Sequence, residues 1–265
     1  MKSTRALAAI AAALVVAFVV APGPLAAIPA TGDLADERRL NAAFRKGFVE
    51  YWNSGGDRFP ADLQRVVDYW LRYHVVKAAI SAILLIVLIA LIVRLCRAFL
   101  GAGGAGRRVA LAAAGGAVTM LAVLSLVTAM ANAHGAVAPF ASLGPMLMDG
   151  PADGALAGTL AQIRDQLAGG GTEPALTAMI DDFAVYHLAL AVIATIVAVA
   201  LAGLSVVLWR RFAGAAKAGG ARAVFGSYGV LSAVLALAVT VVALANASTA
   251  ADPAPALLAF YDGGW

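Results

Sequence analysis

The chain reads as an all-α integral membrane protein built from two tandem transmembrane helical hairpins. The expected form is a four-helix bundle with pseudo-two-fold symmetry, carrying amphipathic helices on its extracytoplasmic side. Three observations lead there: composition, the spacing and flanking charge of four long apolar runs, and an internal repeat. Of the 265 residues, 62% are hydrophobic and 13% charged, with a mean hydropathy of +0.88. A soluble domain has about 45–50% apolar and about 25% charged residues, so this composition calls for lipid as solvent.

The N-terminal region comes first. Lys2 and Arg5 precede an apolar run over Ala6–Ala21, which ends in Pro22-Gly23-Pro24. A basic start, a short apolar core and a breaker-rich tail of small residues describe a secretory signal peptide over 1–27, with cleavage after Ala27. An uncleaved anchor is the alternative. Residues 28–131 then form a first repeat, with spans at 75–93 and 109–131. Residues 132–265 form a second, with spans at 188–208 and 223–245. Apart from Lys77 near the start of the first, the runs carry no charge, and each is long enough to cross about 30 Å of hydrocarbon as a helix.

Charge sets the orientation. No Asp or Glu lies between Lys77 and Asp149 or between Asp182 and Asp252. Those stretches instead hold Arg94, Arg97, Arg107 and Arg108, then Arg210, Arg211, Lys217 and Arg222. The positive-inside rule assigns both basic turns to the cytoplasm. The segment Asp149–Asp182, with six acids and one Arg, falls outside. The expectation is a multi-pass protein of a bacterial plasma membrane, both mature termini extracytoplasmic once the signal is removed. The basic clusters lie in short turns between spans, so membrane lipid is the expected partner and nucleic acid is not.

The repeat is read by aligning Tyr73-His74 with Tyr186-His187. Over 73–106, 15 of 34 residues are identical, including Arg97 with Arg210 and Phe99 with Phe212. The same register pairs Gly106 with Gly219. After one inserted residue, Gly115 pairs with Gly229 and Asn132-Ala133 with Asn246-Ala247. Because each unit crosses twice, the copies keep the same orientation, and the expected symmetry axis lies along the membrane normal.

Outside the spans, apolar residues at spacings of 3 and 4 predict helices over Leu34–Trp52 and Ala61–Val76, with a break at Asn53-Ser54-Gly55-Gly56. Leu156–Leu167 predicts a shorter helix in the second repeat. Trp52, Tyr69, Trp70 and Tyr73 suit a headgroup belt. Ala194, Ala198 and Ala202 make a close-packing stripe. The lone Cys96 excludes a disulfide framework and reads as a small apolar filler.

Chemistry is sparse. There is no phosphate loop, zinc HExxH, nucleophile elbow or CxxC, and the expectation is a protein that is not an enzyme. The leading reading is a non-enzymatic accessory or scaffold subunit, meeting protein partners through its outer helices, the acidic loop and the tail Phe260–Trp265. Two alternatives stand beside it. His74 and His187, equivalent in the repeat, are candidate cofactor ligands for haem. With Asp68 and Asp182 they are instead candidate metal ligands, and His134 is a third imidazole nearby. The competing view makes each Tyr-His pair an interfacial anchor bonded to an outer helix, with Asn132 and Asn246 capping the span exits. The second alternative is a small transporter or lipid-handling protein with a cavity lined by Ser81, Thr195 and Tyr228.

Overall fold

The computed structural model describes residues 2–28, 31–152, 154–216 and 220–264. Lys217, Gly219 and Trp265, each used in the reading above, lie outside the described residues. Among the described residues the regular structure is helical, with no strand. The helices are α1 (Lys2–Val20), α2 (Pro22–Ala26), α3 (Glu37–Ser54), α4 (Ala61–Leu100) and α5 (Ala105–Val137). They continue with α6 (Pro139–Leu143), α7 (Gly154–Gly169), α8 (Pro174–Gly214), α9 (Gly220–Ala251) and α10 (Pro253–Tyr261). Five of them, α1, α4, α5, α8 and α9, are long and apolar enough to cross a membrane.

Two sequence expectations are corrected by helix length. The outer helix expected to end at Val76 and the span expected to begin at Val75 are one helix, α4, because no Gly or Pro interrupts 61–100. Asn132 and Asn246 are not caps: α5 continues to Val137 and α9 to Ala251. Each helix ends only where a proline follows, Pro139 or Pro253, which starts the next helix at its first position. The residues before them, Ala138 (φ −128°, ψ 74°) and Asp252 (φ −140°, ψ 76°), share one backbone conformation.

The chain divides into two compact units. The first comprises Met1–Val19, Ala78–Met130 and Val192–Leu244. Its side chains largely point away from protein: Ile86, Val199 and Leu237 are each about two-thirds exposed, as lipid-facing residues are. Ala11 packs with Leu84, Leu88 and Ala122. Hydroxyls tie the helices where apolar contact does not: Ser125 Oγ donates to the Ser81 carbonyl at 2.8 Å, and Ser205 Oγ to the Gly229 carbonyl at 2.9 Å. The Thr119 and Tyr228 hydroxyls share a bond of 2.9 Å between α5 and α9. Ala194 and Ala198 of the alanine stripe are buried, while Ala202 is exposed.

The second unit comprises Val20–Lys77, Ala131–Ala191 and Ala245–Trp265. It has a core of the kind water-soluble domains have. In α3 the Asp36 side chain accepts from the Arg39 amide at 3.0 Å and starts the helix. Gly55, at φ 64°, ends it in the left-handed conformation that favours glycine. Leu40, Phe44, Phe48 and Tyr51 fall on one stripe and are buried. A Cβ on Gly47 would lie 3.1 Å from Leu63 Cβ and 3.3 Å from its Cα, so α3 and α4 approach at glycine distance. Leu63, Val66 and Val67 are buried in the same core, whereas Leu71 is exposed.

The headgroup-belt reading fails for Trp52 and Tyr69, both buried in this core. Trp52 Nε1 donates to Gln162 Oε1 of α7 at 2.8 Å, so its polar edge is satisfied by protein and needs no interface. The tail is equally engaged. Tyr261 is buried, and Arg164 of α7 donates from Nε to its carbonyl at 2.8 Å while pairing with Asp262 at 3.3 Å. Arg45 performs a similar service for residues 146–151. Its guanidinium donates to the Met146 carbonyl at 3.1 Å, to Leu147 at 3.4 Å, to Pro151 at 3.2 Å, and also to Asp149.

Candidate functional site

All three histidines belong to the second unit, and each sits against aromatic rings. His74 lies on α4, one residue ahead of the apolar run 75–93. Its Nδ1 is 3.0 Å from Asn132 Oδ1 on α5. Its ring meets that of Trp70 in a T-shaped contact at 4.8 Å and 83°. It also presses on Gly135, where an added Cβ would fall 2.9 Å from His74 Cε1. Burial, with smaller contributions from His134 and Lys77, lowers the His74 pKa to about 4 against the opposing Asn132 bond. Above that pH the ring is neutral and its proton sits on Nδ1, donated to Asn132. Nε2 is left as a buried lone pair with no hydrogen-bond partner among the described residues.

His187 makes the corresponding bond, 113 residues further along the chain than His74. Its Nδ1 is 2.7 Å from Asn246 Oδ1 on α9, and its ring meets Phe183 at 4.5 Å and 66°. Trp70 and Phe183 precede their histidines by the same four residues. The two sites differ in what closes them. Position 135 is glycine, whereas its counterpart by the offset of 114 that pairs Asn132 with Asn246 is Thr249. Both His187 and Thr249 line an open cavity, described below.

The anchor reading is corrected in one respect. Neither histidine bonds an outer helix; each bonds the asparagine expected to be a cap. The repeat register carried this signal, since it pairs His with His and Asn with Asn, but spacing alone did not say that they meet. His134 is buried against Tyr186 at 4.5 Å. Burial also raises the Tyr186 pKa.

The candidate carboxylates are engaged elsewhere. Asp68 accepts from Gln64 Nε2 at 2.7 Å, one helical turn away. Asp182 accepts from the Ala141 amide at 2.7 Å, and burial raises its pKa despite that bond. Among the described residues no group of three or more His, Cys, Asp or Glu is placed to hold a metal ion.

The cavity beside His187 has a volume of about 420 Å³. Aromatic and apolar side chains wall it: Phe44, Phe48, Phe140, Phe183 and Phe260, with His187 at one edge. Sequence reasoning missed it, because its walls come from five helices and none of them carries a motif. A second concavity of about 740 Å³ in the same unit is lined by Glu37, Arg38, Lys46, Glu50 and Asp149. Its walls mix both signs of charge.

His74 yields a pH prediction. Its folded pKa of about 4 is below the ordinary value of 6.5, so between those pH values the unfolded chain binds a proton that the folded chain refuses. Stability is therefore unaffected above pH 6.5, falls as pH drops from 6.5 to 4, and loses up to about 3 kcal/mol in all. Melting curves of wild type and His74→Phe in detergent at pH 7.5 and 4.5 check this. The expected result is a smaller loss in the variant.

No family model matches the chain, and no curated protein or solved structure matches it.

Proposed function

We propose that the protein is a non-enzymatic accessory or scaffold subunit of a bacterial plasma membrane. In this reading a cleaved signal precedes a duplicated helical hairpin, and its four spans form a pseudo-two-fold bundle. The second unit is extracytoplasmic and binds a partner protein by taking apolar side chains into the cavity beside His187. The carrying observation is that cavity: about 420 Å³ of aromatic-walled space, beside which His187 is bonded to Asn246 and Asp182 to the Ala141 amide. Aromatic pockets of this kind are where the energetic anchors of interfaces sit. The recurring His–Asn bond and the matching proline breaks after α5 and α9 support the duplication.

The test is a photoreactive amino acid in place of Phe260, activated in intact cells. A cross-linked adduct of one defined mass is expected, and adding Ala256→Trp, which fills the cavity from α10, should abolish it. An adduct pattern indifferent to Ala256→Trp would overturn the reading.

A cofactor reading has one specific support. A histidine whose Nδ1–H is held by a carbonyl presents Nε2 in the tautomer that ligates metal, and His74 Nε2 has no other partner among the described residues. An absorption spectrum and metal analysis of the purified protein decide it: a Soret band or bound metal lost in His74→Ala/His187→Ala would replace the scaffold reading. Of the lining expected for the transporter or lipid-handling alternative, Tyr228 lines a groove in the first unit and the other two residues do not. Ser81 is buried and its carbonyl is bonded to Ser125, and Thr195 is exposed on its helix.

A further inference from the structure

The first unit contains an apolar groove of about 560 Å³ walled by α4, α5 and α9. Its volume falls within the range of about 300–1,000 Å³ typical of small-molecule sites. Along α9 its lining runs from Ala223 to Leu235, a rise of about 18 Å at 1.5 Å per residue. One leaflet's hydrocarbon is about 15 Å deep, half of the roughly 30 Å core. The floor is made by Gly115 and Gly116, where an added Cβ meets nothing within 4 Å. The groove is therefore as long as one acyl chain is deep, and it is open at its base.

One end is basic. Phe99 lines the groove, and the Arg108 guanidinium lies over its ring at 5.2 Å. Arg222 precedes the lining residue Ala223, and its guanidinium stacks on Phe212 at 4.2 Å. Arg108 Nε is buried and donates to nothing among the described residues. No carboxylate exists in either acid-free stretch to neutralise these groups. Arg108 as a whole is only partly buried, and the planar fork of a guanidinium matches the oxygens of a phosphate. The N-termini of α5 and α9 open at this same end and favour negative charge there.

We infer that the groove binds one anionic phospholipid of the surrounding bilayer, an acyl chain lying over Gly115 and Gly116 and the headgroup phosphate held by Arg108. The lipid supplies what the chain lacks at this end, a counter-charge for Arg108 and apolar matter over the glycine floor. This does not depend on how the second unit binds partners.

Native mass spectrometry of the full chain, titrated with phosphatidylglycerol or phosphatidylcholine of the same acyl composition, tests it. Wild type should hold one phosphatidylglycerol at least tenfold more tightly than phosphatidylcholine. Arg108→Gln should lose that tenfold preference and Arg108→Lys should keep part of it. Gly116→Leu adds a side chain to the groove lining at a position whose Cβ meets nothing within 4 Å, so it tests the groove independently of Arg108; it should weaken both lipids at least tenfold. Equal retention of the two lipids by wild type overturns the inference, as does phosphatidylglycerol binding unmoved by Gly116→Leu. Displacement of the lipid by equimolar glycerol phosphate would also overturn it, in favour of a soluble anion.

Discussion

Replacing Gly135 with threonine should destabilise the protein by about 2–4 kcal/mol. The new Cβ would stand 2.9–3.0 Å from three atoms of the His74 ring. The ring is already constrained, by the Trp70 ring at 4.8 Å and by the Asn132 bond to Nδ1 at 3.0 Å. Overpacking of this sort costs about 1–3 kcal/mol, and losing the His74–Asn132 bond adds about 0.5–1.5 kcal/mol. The reverse change at the equivalent position, Thr249→Gly, should cost only about 1 kcal/mol: helix propensity is lost, along with the Thr249 hydroxyl bond to the Ala245 carbonyl. Thermal unfolding of the two variants in one detergent gives the comparison. Equal effects would mean that the Gly135–His74 contact does not constrain the fold.

Arg45→Ala should free residues 146–151. Four carbonyls on that segment lose their donor at once, and bonds from a charged donor are worth about 1.5–3 kcal/mol each when unshared with water. Arg45 is half-buried, so a net loss of about 2–4 kcal/mol is expected. Hydrogen exchange of the amides at 146–149 should accelerate at least tenfold while those of α8 hold. Arg45→Lys should recover less than half of the loss, since a single ammonium cannot fork across four acceptors. Unchanged exchange in Arg45→Ala would show that the segment is held by its apolar residues, Leu143 and Leu147, alone.

The parts of the fold legible in the sequence were those written in local periodicity. The five apolar helices, the buried stripe of α3 and the turn between Leu100 and Ala105 all follow from runs, spacings and breakers within a few residues. The continuity of α4 was legible too, in the absence of Gly and Pro from 61 to 100, but the change from polar to apolar at Val75 drew a boundary that the backbone does not make. Composition changes a helix's surroundings without ending it.

What stayed hidden was side-chain meeting over long separations. His74 and Asn132 are 58 residues apart, and Arg45 reaches carbonyls about 100 residues away. Trp52 was read as an interfacial residue because its partner Gln162, 110 positions on, is an ordinary polar residue on a surface helix. The cavity beside His187 had no signature either, since its walls are phenylalanines that would serve equally well as core.

The difference between Gly135 and Thr249 has a consequence for how the two halves can change over generations. In the proposed duplication the two histidine sites begin alike and under the same selection. Once one ring is sealed against a glycine, any side chain there forces neighbouring atoms to shift, and that copy becomes the more constrained one. The other, with a threonine and an open space beside its ring, can accumulate changes in its walls without losing the fold. Novelty in this molecule should therefore arise on the His187 side, with the His74 side as its fixed inheritance.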